Sequence, residues 1–67
     1  MKGKIIAIRG IVVDMQFDAQ SMPALSNAVV TAQKNGAGEE VVIEVLQHLD
    51  WGAVRGIAMQ TTDGLKR

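Results

Sequence analysis

The side chains that could carry acid–base chemistry are one histidine and three glutamates in the middle of the chain. His48 lies late in a predicted strand with no nucleophile beside it, so a solvated or locally hydrogen-bonded histidine is favoured over a general base or ligand. Glu40 and Glu44 share a strand face about 13 Å apart, too far to share a proton. We interpret Glu39, Glu40 and Glu44 as solvated charges. The sequence therefore predicts no catalytic, cofactor-binding or metal-binding residue.

A short glycine-rich stretch, Gly36-Ala37-Gly38, invites comparison with a phosphate-binding loop. Such a loop leads into a Lys and a Ser or Thr at the start of a helix, whereas Glu39, Glu40 and strand-forming residues follow here. Asn35-Gly36 is a strong signal for a hairpin turn. The stretch is therefore predicted to connect two strands.

Trp51 and two arginines are the remaining side chains with binding chemistry. Trp51 lies at a predicted turn, where it either anchors a partner or caps the open end of the core, and the sequence favours neither. Arg9 and Arg55 stand among apolar residues. They could pair with acidic groups of an adjacent subunit, but solvation at the surface is the preferred interpretation.

The elements that position these side chains are predicted to be strands. Residues Glu40–His48 are almost all strand formers, and their β-branched run at Val41, Val42, Ile43 and Val45 has no helix cap in front of it. Alternation gives this strand an apolar face (Val41, Ile43, Val45) and a mixed second face (Val42, Glu44, Leu46, His48). After a turn at Asp50-Trp51-Gly52, the chain returns through Val54–Met59, in which Gly56 and Ala58 allow close backbone approach.

The first half of the chain predicts further strands. Ile5–Ile8 is one apolar run, and the next alternates so that Ile11, Val13, Met15 and Phe17 share a core-facing side. With no real loop between the two runs, Gly10 is interpreted as a bend or bulge and not as a hairpin turn. The other expected features are a loop at Asp18–Pro23, a packed Leu25, a strand at Asn27–Ala32 and a turn at Thr62-Asp63-Gly64.

Composition limits the classes of function. Sixty-seven residues make one small domain, which buries roughly 60% of its unfolded surface and gains stability from a neighbour. Cysteine is absent, and seven basic residues balance seven acidic ones, which disfavours nucleic-acid binding. No apolar run is long enough to cross a membrane. These features indicate a soluble intracellular domain, and four or five closely spaced strands without an amphipathic helix indicate an all-β barrel.

Beyond these patterns, essentially the whole chain resembles a known family. The stretches GKIIAIRGIVVDMQF, ALSNAVV and EVVIEVLQHLDWGAVRGIAMQTTDGLKR are similar to the N-terminal domain of the β subunit of F-type ATP synthases. Their combination carries the resemblance, above all Gly3-Lys4-Ile5 with Gly10, Val13-Asp14, Glu44-Val45, Gln47, Val54-Arg55, Ile57-Ala58-Met59 and Thr62-Asp63-Gly64-Leu65.

The resemblance implies a fold and a set of partners. The fold would be a closed or nearly closed six-stranded Greek-key-like β-barrel spanning residues 1–67, its last strand truncated, as a fragment of a longer chain. Barrels of alternating α subunits would pack beside it to hold a catalytic hexamer. The full-length protein would make or hydrolyse ATP coupled to ion transport, with ATP, ADP and magnesium bound outside this fragment. The complex would be peripheral, on the cytoplasmic side of an energy-coupling membrane.

Two other functions remain open on the residues alone. A free-standing barrel could bind an oligonucleotide or peptide, although such modules use a basic groove with several stacking aromatics. A very small barrel enzyme is the other alternative, but no acid, base or nucleophile set is evident. In isolation, the barrel is expected to self-associate through the surface around Val42 and Leu46.

Overall fold

A computed structural model describes residues 3–18 and 20–67, so Met1, Lys2 and Ala19, the last within the predicted Asp18–Pro23 loop, lie outside the described residues. Across the described part, the chain forms five strands: β1 Gly3–Arg9, β2 Val12–Phe17, β3 Ala28–Lys34, β4 Glu40–His48 and β5 Ala53–Ala58. A short 3-10 turn, Asp50–Gly52, joins β4 to β5. The predicted all-β class is confirmed.

The strands form one antiparallel sheet in the order β1-β2-β5-β4-β3. Strands β3, β4 and β5 follow one another as neighbours, and β2 lies beside β5 after a long connection, which is a Greek-key arrangement. Residues of the edge strands β1 and β3 line opposite sides of one groove. The sheet is therefore curled, and its two edges face each other across that groove.

The core lies on the concave inner face of the sheet and follows the predicted alternation. Val41, Ile43 and Val45 are at most 1% exposed, and Val13, Met15 and Phe17 face them from β2. Gly56 lets β5 approach β4, since a Cβ there would lie 2.5 Å from Ile43 Cγ2 and 2.6 Å from the Glu44 carbonyl oxygen. The predicted role of Gly56 is confirmed. The predicted packing of Leu25 is wrong because that side chain is 55% exposed, while Pro23 is buried in the same loop.

The interpretation of Gly10 as a bend or bulge is wrong. Strands β1 and β2 are antiparallel partners, with Arg9 opposite Val12, so Gly10 and Ile11 form a two-residue hairpin loop. Gly10 has a φ of +59°, which suits glycine at the first position of such a loop. Ile11 belongs to this turn and is 55% exposed, so it leaves the core-facing set.

Irregular pairing changes which side chains share a face. The register of β1 against β2 shifts between Ile5 and Ala7, so Ile5 and Ile8 both pack against the core although they are three residues apart. The register of β4 against β5 shifts between Val45 and Gln47. Past Leu46 the predicted alternation therefore fails, and His48 pairs with the buried Val54.

The residues after β5 cover one end of the curled sheet. Thr62 Oγ1 donates to the Gly10 carbonyl at 2.6 Å, and Gly36 N–H donates to the Asp63 carbonyl at 2.6 Å. Leu65 is 9% exposed and belongs to the core. This C-terminal segment thus connects the β1–β2 and β3–β4 turns, and residues 63 and 64 form the predicted turn.

Candidate interaction surface

The convex outer face of the sheet carries the side chains that alternate with the core residues. Asp14 lies opposite Arg55, and Val12 lies opposite Ile57. Farther across the sheet, Val42 lies opposite Val30 of the edge strand β3. This face therefore combines a charged cluster over β2 and β5 with an apolar region over β4 and β3.

The charged cluster consists of Asp14, Arg9 and Arg55. Arg55 contacts both carboxylate oxygens of Asp14, with Nε donating to Oδ1 at 2.8 Å and Nη2 donating to Oδ2 at 3.0 Å. Arg9 Nη2 donates to Oδ2 at 3.2 Å from the other side. Asp14 is only 7% exposed, whereas the side chain of Arg9 is 63% exposed. Two cations thus flank one carboxylate, and the cluster presents a net positive charge to solvent.

The charges of the cluster stabilise one another. The hydrogen bond from Arg55 lowers the pKa of Asp14 from its usual value, and the charges of Arg55 and Arg9 lower it further, whereas desolvation opposes them. The same hydrogen bond to Asp14 raises the pKa of Arg55. Asp14 therefore stays ionised at neutral pH. The planar guanidinium of Arg55 forms a bidentate pair with the carboxylate of Asp14, and this geometry fixes the relative orientation of the two side chains.

The sequence interpretation of these arginines as solvated is incomplete, because the side chain of Arg9 is 63% exposed as expected but both arginines also bind Asp14. Arg9 and Arg55 both pair with an acid of their own chain, which lies 5 and 41 residues away respectively. Recognising the β1–β2 hairpin would have placed Arg9 near Asp14. The Arg55 contact depends on the pairing of β2 with β5, and no local pattern in the sequence indicates that pairing.

An apolar row crosses the other half of the outer face. Val30 is 54% exposed and lies opposite the half-buried Val42. On the other side of Val42, the Met59 N–H donates to the Val42 carbonyl at 2.8 Å, and the Met59 side chain is 52% exposed. We call Val30, Val42 and Met59 the apolar row. Leu46, which is 51% exposed, lies farther along β4.

Trp51 lies at the end of the sheet opposite the C-terminal segment. Its side chain is 91% exposed and its φ is +66°, a conformation that is rare for a bulky side chain. Gln16 Nε2 donates to the Trp51 carbonyl, which ties this turn to β2. The indole therefore does not cap the core, which corrects one of the two interpretations of Trp51. Phe17 is 5% exposed, so the two aromatic residues do not form a stacking surface.

The other residues singled out by the sequence have local roles. His48 Nε2 lies 2.7 Å from the Pro23 carbonyl, which confirms a locally hydrogen-bonded histidine. Glu39 accepts a hydrogen bond from Asn35 Nδ2 at 3.2 Å, and Glu44 lies on the outer face between Ala28 and Ile57. The stretch from Gly36 to Gly38 is the hairpin turn between β3 and β4, as predicted.

Two kinds of feature are absent from the part of the chain that the structure describes. Among residues 3–18 and 20–67, no group of three or more His, Asp or Glu side chains is placed to hold a metal ion. In the same part of the chain, no helix has the length and apolar character needed to cross a membrane.

Comparisons with known proteins identify the family. The sequence model described as ATP synthase alpha/beta family, beta-barrel domain, matches residues 5–67. The chain is also 38% identical over 65 residues to ATP synthase subunit beta 3 of Paraburkholderia xenovorans (strain LB400). That alignment covers 97% of this chain and 13% of the relative, so the chain spans a small part of the relative's length. The chain belongs to the ATP synthase alpha/beta family, as a beta-subunit homologue with the family's β-barrel domain.

Proposed function

We propose that residues 1–67 are the N-terminal barrel domain of an F-type ATP synthase β subunit, which packs between α-subunit barrels in an alternating ring. The observation that carries this proposal is the family match over residues 5–67, supported by the similarity to a beta subunit. The full-length protein makes or hydrolyses ATP coupled to ion transport. ATP, ADP and magnesium bind in parts of it outside this chain, and the complex is peripheral, on the cytoplasmic side of an energy-coupling membrane.

The outer face has the properties that a ring neighbour requires. The apolar row leaves Val30 and Met59 each about half exposed, and such exposed apolar side chains stabilise a contact when a partner buries them. Beside it, Arg9 is 63% exposed and the cluster around Asp14 carries a net positive charge, which suits an acidic side chain on the neighbour. In a ring of alternating subunits this face contacts an α barrel.

The groove between the edge strands supports closure of the barrel by a sixth strand. Its walls are Gly3–Ile5 on one side and residues 28–33 on the other, and Met15 and Phe17 contribute apolar lining. Gln33 already pairs with Lys66, donating to its carbonyl at 2.7 Å and accepting from its amide at 2.9 Å. A strand that continues along the groove from Lys66 would pair with the free edges of β1 and β3, so that neither strand would remain an edge of the sheet.

Assembly with the α subunit tests the proposal. The full-length β subunit and its α subunit would be co-expressed, and their complexes measured by native mass spectrometry. The double variant Val30→Asp with Val42→Asp should weaken assembly strongly, because it places two charges in the apolar contact. Leu25→Asp is the matched control, since Leu25 has nearly the same exposure as Val30 but lies in a loop. Normal α–β complexes from the double variant would contradict the assigned surface.

Self-association of the isolated barrel follows from the same face. Without α neighbours, we expect the 67-residue chain to dimerise at high concentration through the apolar row and Leu46. Sedimentation velocity over a concentration series measures this. A strictly monomeric profile would contradict the expectation, and Val30→Asp should lower the association constant if the apolar row is the contact.

A further inference from the structure

The Asn35-Gly36 pair, which forms part of the β3–β4 hairpin turn, is also a sequence that can deamidate. In an Asn-Gly sequence, the backbone nitrogen of glycine can lose its proton and attack the side-chain Cγ of asparagine. A C–N bond forms, the Cγ–Nδ2 bond breaks, and ammonia leaves with the proton to give a cyclic succinimide. Water then opens the ring to an aspartyl or isoaspartyl residue. Asparagine is accordingly one of the thermolabile residues of proteins.

The structure restrains the Asn35 carboxamide on both of its polar atoms. Oδ1 accepts from Ala37 N–H at 3.0 Å and from Glu39 N–H at 2.9 Å. Nδ2 donates to the Thr61 carbonyl at 2.8 Å and to Glu39 Oε1 at 3.2 Å. Asn35 is 5% exposed. Turning Cγ towards the next backbone nitrogen requires these bonds to break in a site that water scarcely reaches.

The attacking nitrogen is restrained as well. Gly36 N–H donates to the Asp63 carbonyl at 2.6 Å, so the proton that must leave is shared with an acceptor. This contact requires glycine at position 64, whose φ is +94° and where a Cβ would lie 2.5 Å from Gly36 N. The turn at residues 61–65 thus supplies the acceptor of the Gly36 N–H and one acceptor of Asn35 Nδ2, and it covers Asn35, whereas the bonds to Oδ1 come from the hairpin itself.

We propose that Asn35 is a deamidation site that stays unreactive while the turn at residues 61–65 is docked on the β3–β4 hairpin, and that reacts when the turn undocks. The reaction is then self-reinforcing. A carboxylate at position 35 has no N–H to donate to the Thr61 carbonyl, and it faces the Glu39 carboxylate that Nδ2 now contacts. A chain that has reacted therefore docks the turn more weakly, because it lacks the bond to Thr61 and places two carboxylates side by side.

The first experiment compares the reaction in the native protein and in the same protein unfolded in urea. Both samples are incubated at mildly alkaline pH, and the peptide that contains Asn35 is assayed by mass spectrometry for conversion of the amide to an acid. We expect the native protein to react about 10- to 100-fold more slowly, as for a site that requires local opening. Equal rates would overturn the proposal.

A pair of glycine variants tests whether the turn at residues 61–65 is the restraint. Gly64→Ala places a Cβ against Gly36 N and should raise the native rate roughly 5- to 30-fold. Gly52→Ala is the matched control, because Gly52 also has a positive φ (+78°) but lies in the turn between β4 and β5, at the opposite end of the sheet. Equal acceleration in the two variants would overturn the assignment to the turn.

A third measurement keeps the proposal testable if Gly64→Ala does not fold. Asn35→Asp imitates one product of the reaction, and hydrogen exchange of its backbone amides is followed by NMR. We expect exchange at Gly36 to accelerate about tenfold or more, while amides at the centre of the sheet, such as those of Met15 and Val54, change little. Unchanged exchange at Gly36 would overturn the claim that the product weakens docking.

Discussion

The centre and the edges of this sheet are built differently. In the central strands β2, β5 and β4, core residues such as Val13, Val54 and Ile43 are 0% exposed, and Gly56 brings two backbones together. In the edge strands β1 and β3, large apolar side chains stay in contact with water, and Ile6 and Val30 are 38% and 54% exposed. Folding stability is therefore concentrated in the centre, and the edges leave apolar surface and unpaired backbone for further contacts.

The largest expected effect separates a central isoleucine from an edge isoleucine. Ile43→Ala removes a fully buried side chain from the middle of the core and should lower the free energy of unfolding by about 2–5 kcal/mol. Ile6→Ala, at the irregular pairing of β1, should cost less than about 1 kcal/mol because that side chain is already partly in water. Urea denaturation followed by circular dichroism measures both. Similar losses would show that the edge contributes as much as the centre.

A second comparison uses two glycines that are both closely packed. Gly56→Ala forces a Cβ against the Glu44 carbonyl and should cost about 1–3 kcal/mol, because a central backbone cannot move aside. Gly3→Ala also meets a neighbour at 2.5 Å, the Phe17 ring, but Gly3 is the first residue of the edge strand β1. We expect a loss below about 1 kcal/mol there, because the strand end can shift. The same urea denaturation assay measures both variants. A larger loss of stability in Gly3→Ala than in Gly56→Ala would contradict the proposed difference between edge and centre.

The charged cluster of Asp14, Arg9 and Arg55 should make the stability of the protein depend on pH. Asp14→Asn should lower stability by about 1–2 kcal/mol at neutral pH, since it weakens charged hydrogen bonds to Arg55 and Arg9. The pKa of Asp14 is lowered in the folded protein, so its contribution is present above the ordinary carboxyl pKa and is lost as pH falls through the folded value.

Stability measured from neutral to acidic pH tests this assignment. The difference between the wild-type protein and Asp14→Asn should shrink progressively below about pH 4, near the ordinary aspartate pKa. A difference that stays constant across that range would show that Asp14 does not contribute through its charge. Arg9→Gln should have less effect than Arg55→Gln, because Arg9 makes one longer bond and lies on the edge strand.

The smallest expected effect is at the edge strand β3. Val30→Thr keeps the β-branched shape and should change the free energy of unfolding by no more than about 0.5 kcal/mol, because Val30 is half exposed. The same denaturation assay at low protein concentration measures this. A loss above 1 kcal/mol would mean that β3 contributes to stability as a central strand does.

Features set by short-range pattern could be predicted from the sequence. The alternation at Val41, Ile43 and Val45 correctly predicts the inner face of β4, and Asn35-Gly36 correctly predicts the hairpin turn between β3 and β4. The β1–β2 hairpin was missed because one glycine at Gly10 is sufficient for a two-residue loop, which leaves no polar stretch to notice. The resemblance to the family indicated the Greek-key order that the residues alone did not, while the six-stranded closure that it implies stays a prediction, since the described residues form five strands.

Features set by long-range pairing could not be predicted. The contact of Asp14 with Arg55 depends on the register of β2 against β5, and a one-residue slip would place the two side chains on opposite faces. The irregular pairing near Leu46 has the same origin, since the predicted alternation holds only while each residue has one partner. Exposure of Trp51 depends on the conformation of one turn residue, which composition does not indicate.

The position of Trp51 determines how this protein can be observed. It is the single tryptophan of the chain and is 91% exposed, so its fluorescence in the folded state is already that of an indole in water. Unfolding should therefore shift the emission maximum very little, and an optical signal from the backbone follows folding better. The same property makes the emission a sensitive reporter at this end of the sheet, because any molecule that covers the ring will shift its fluorescence to shorter wavelength.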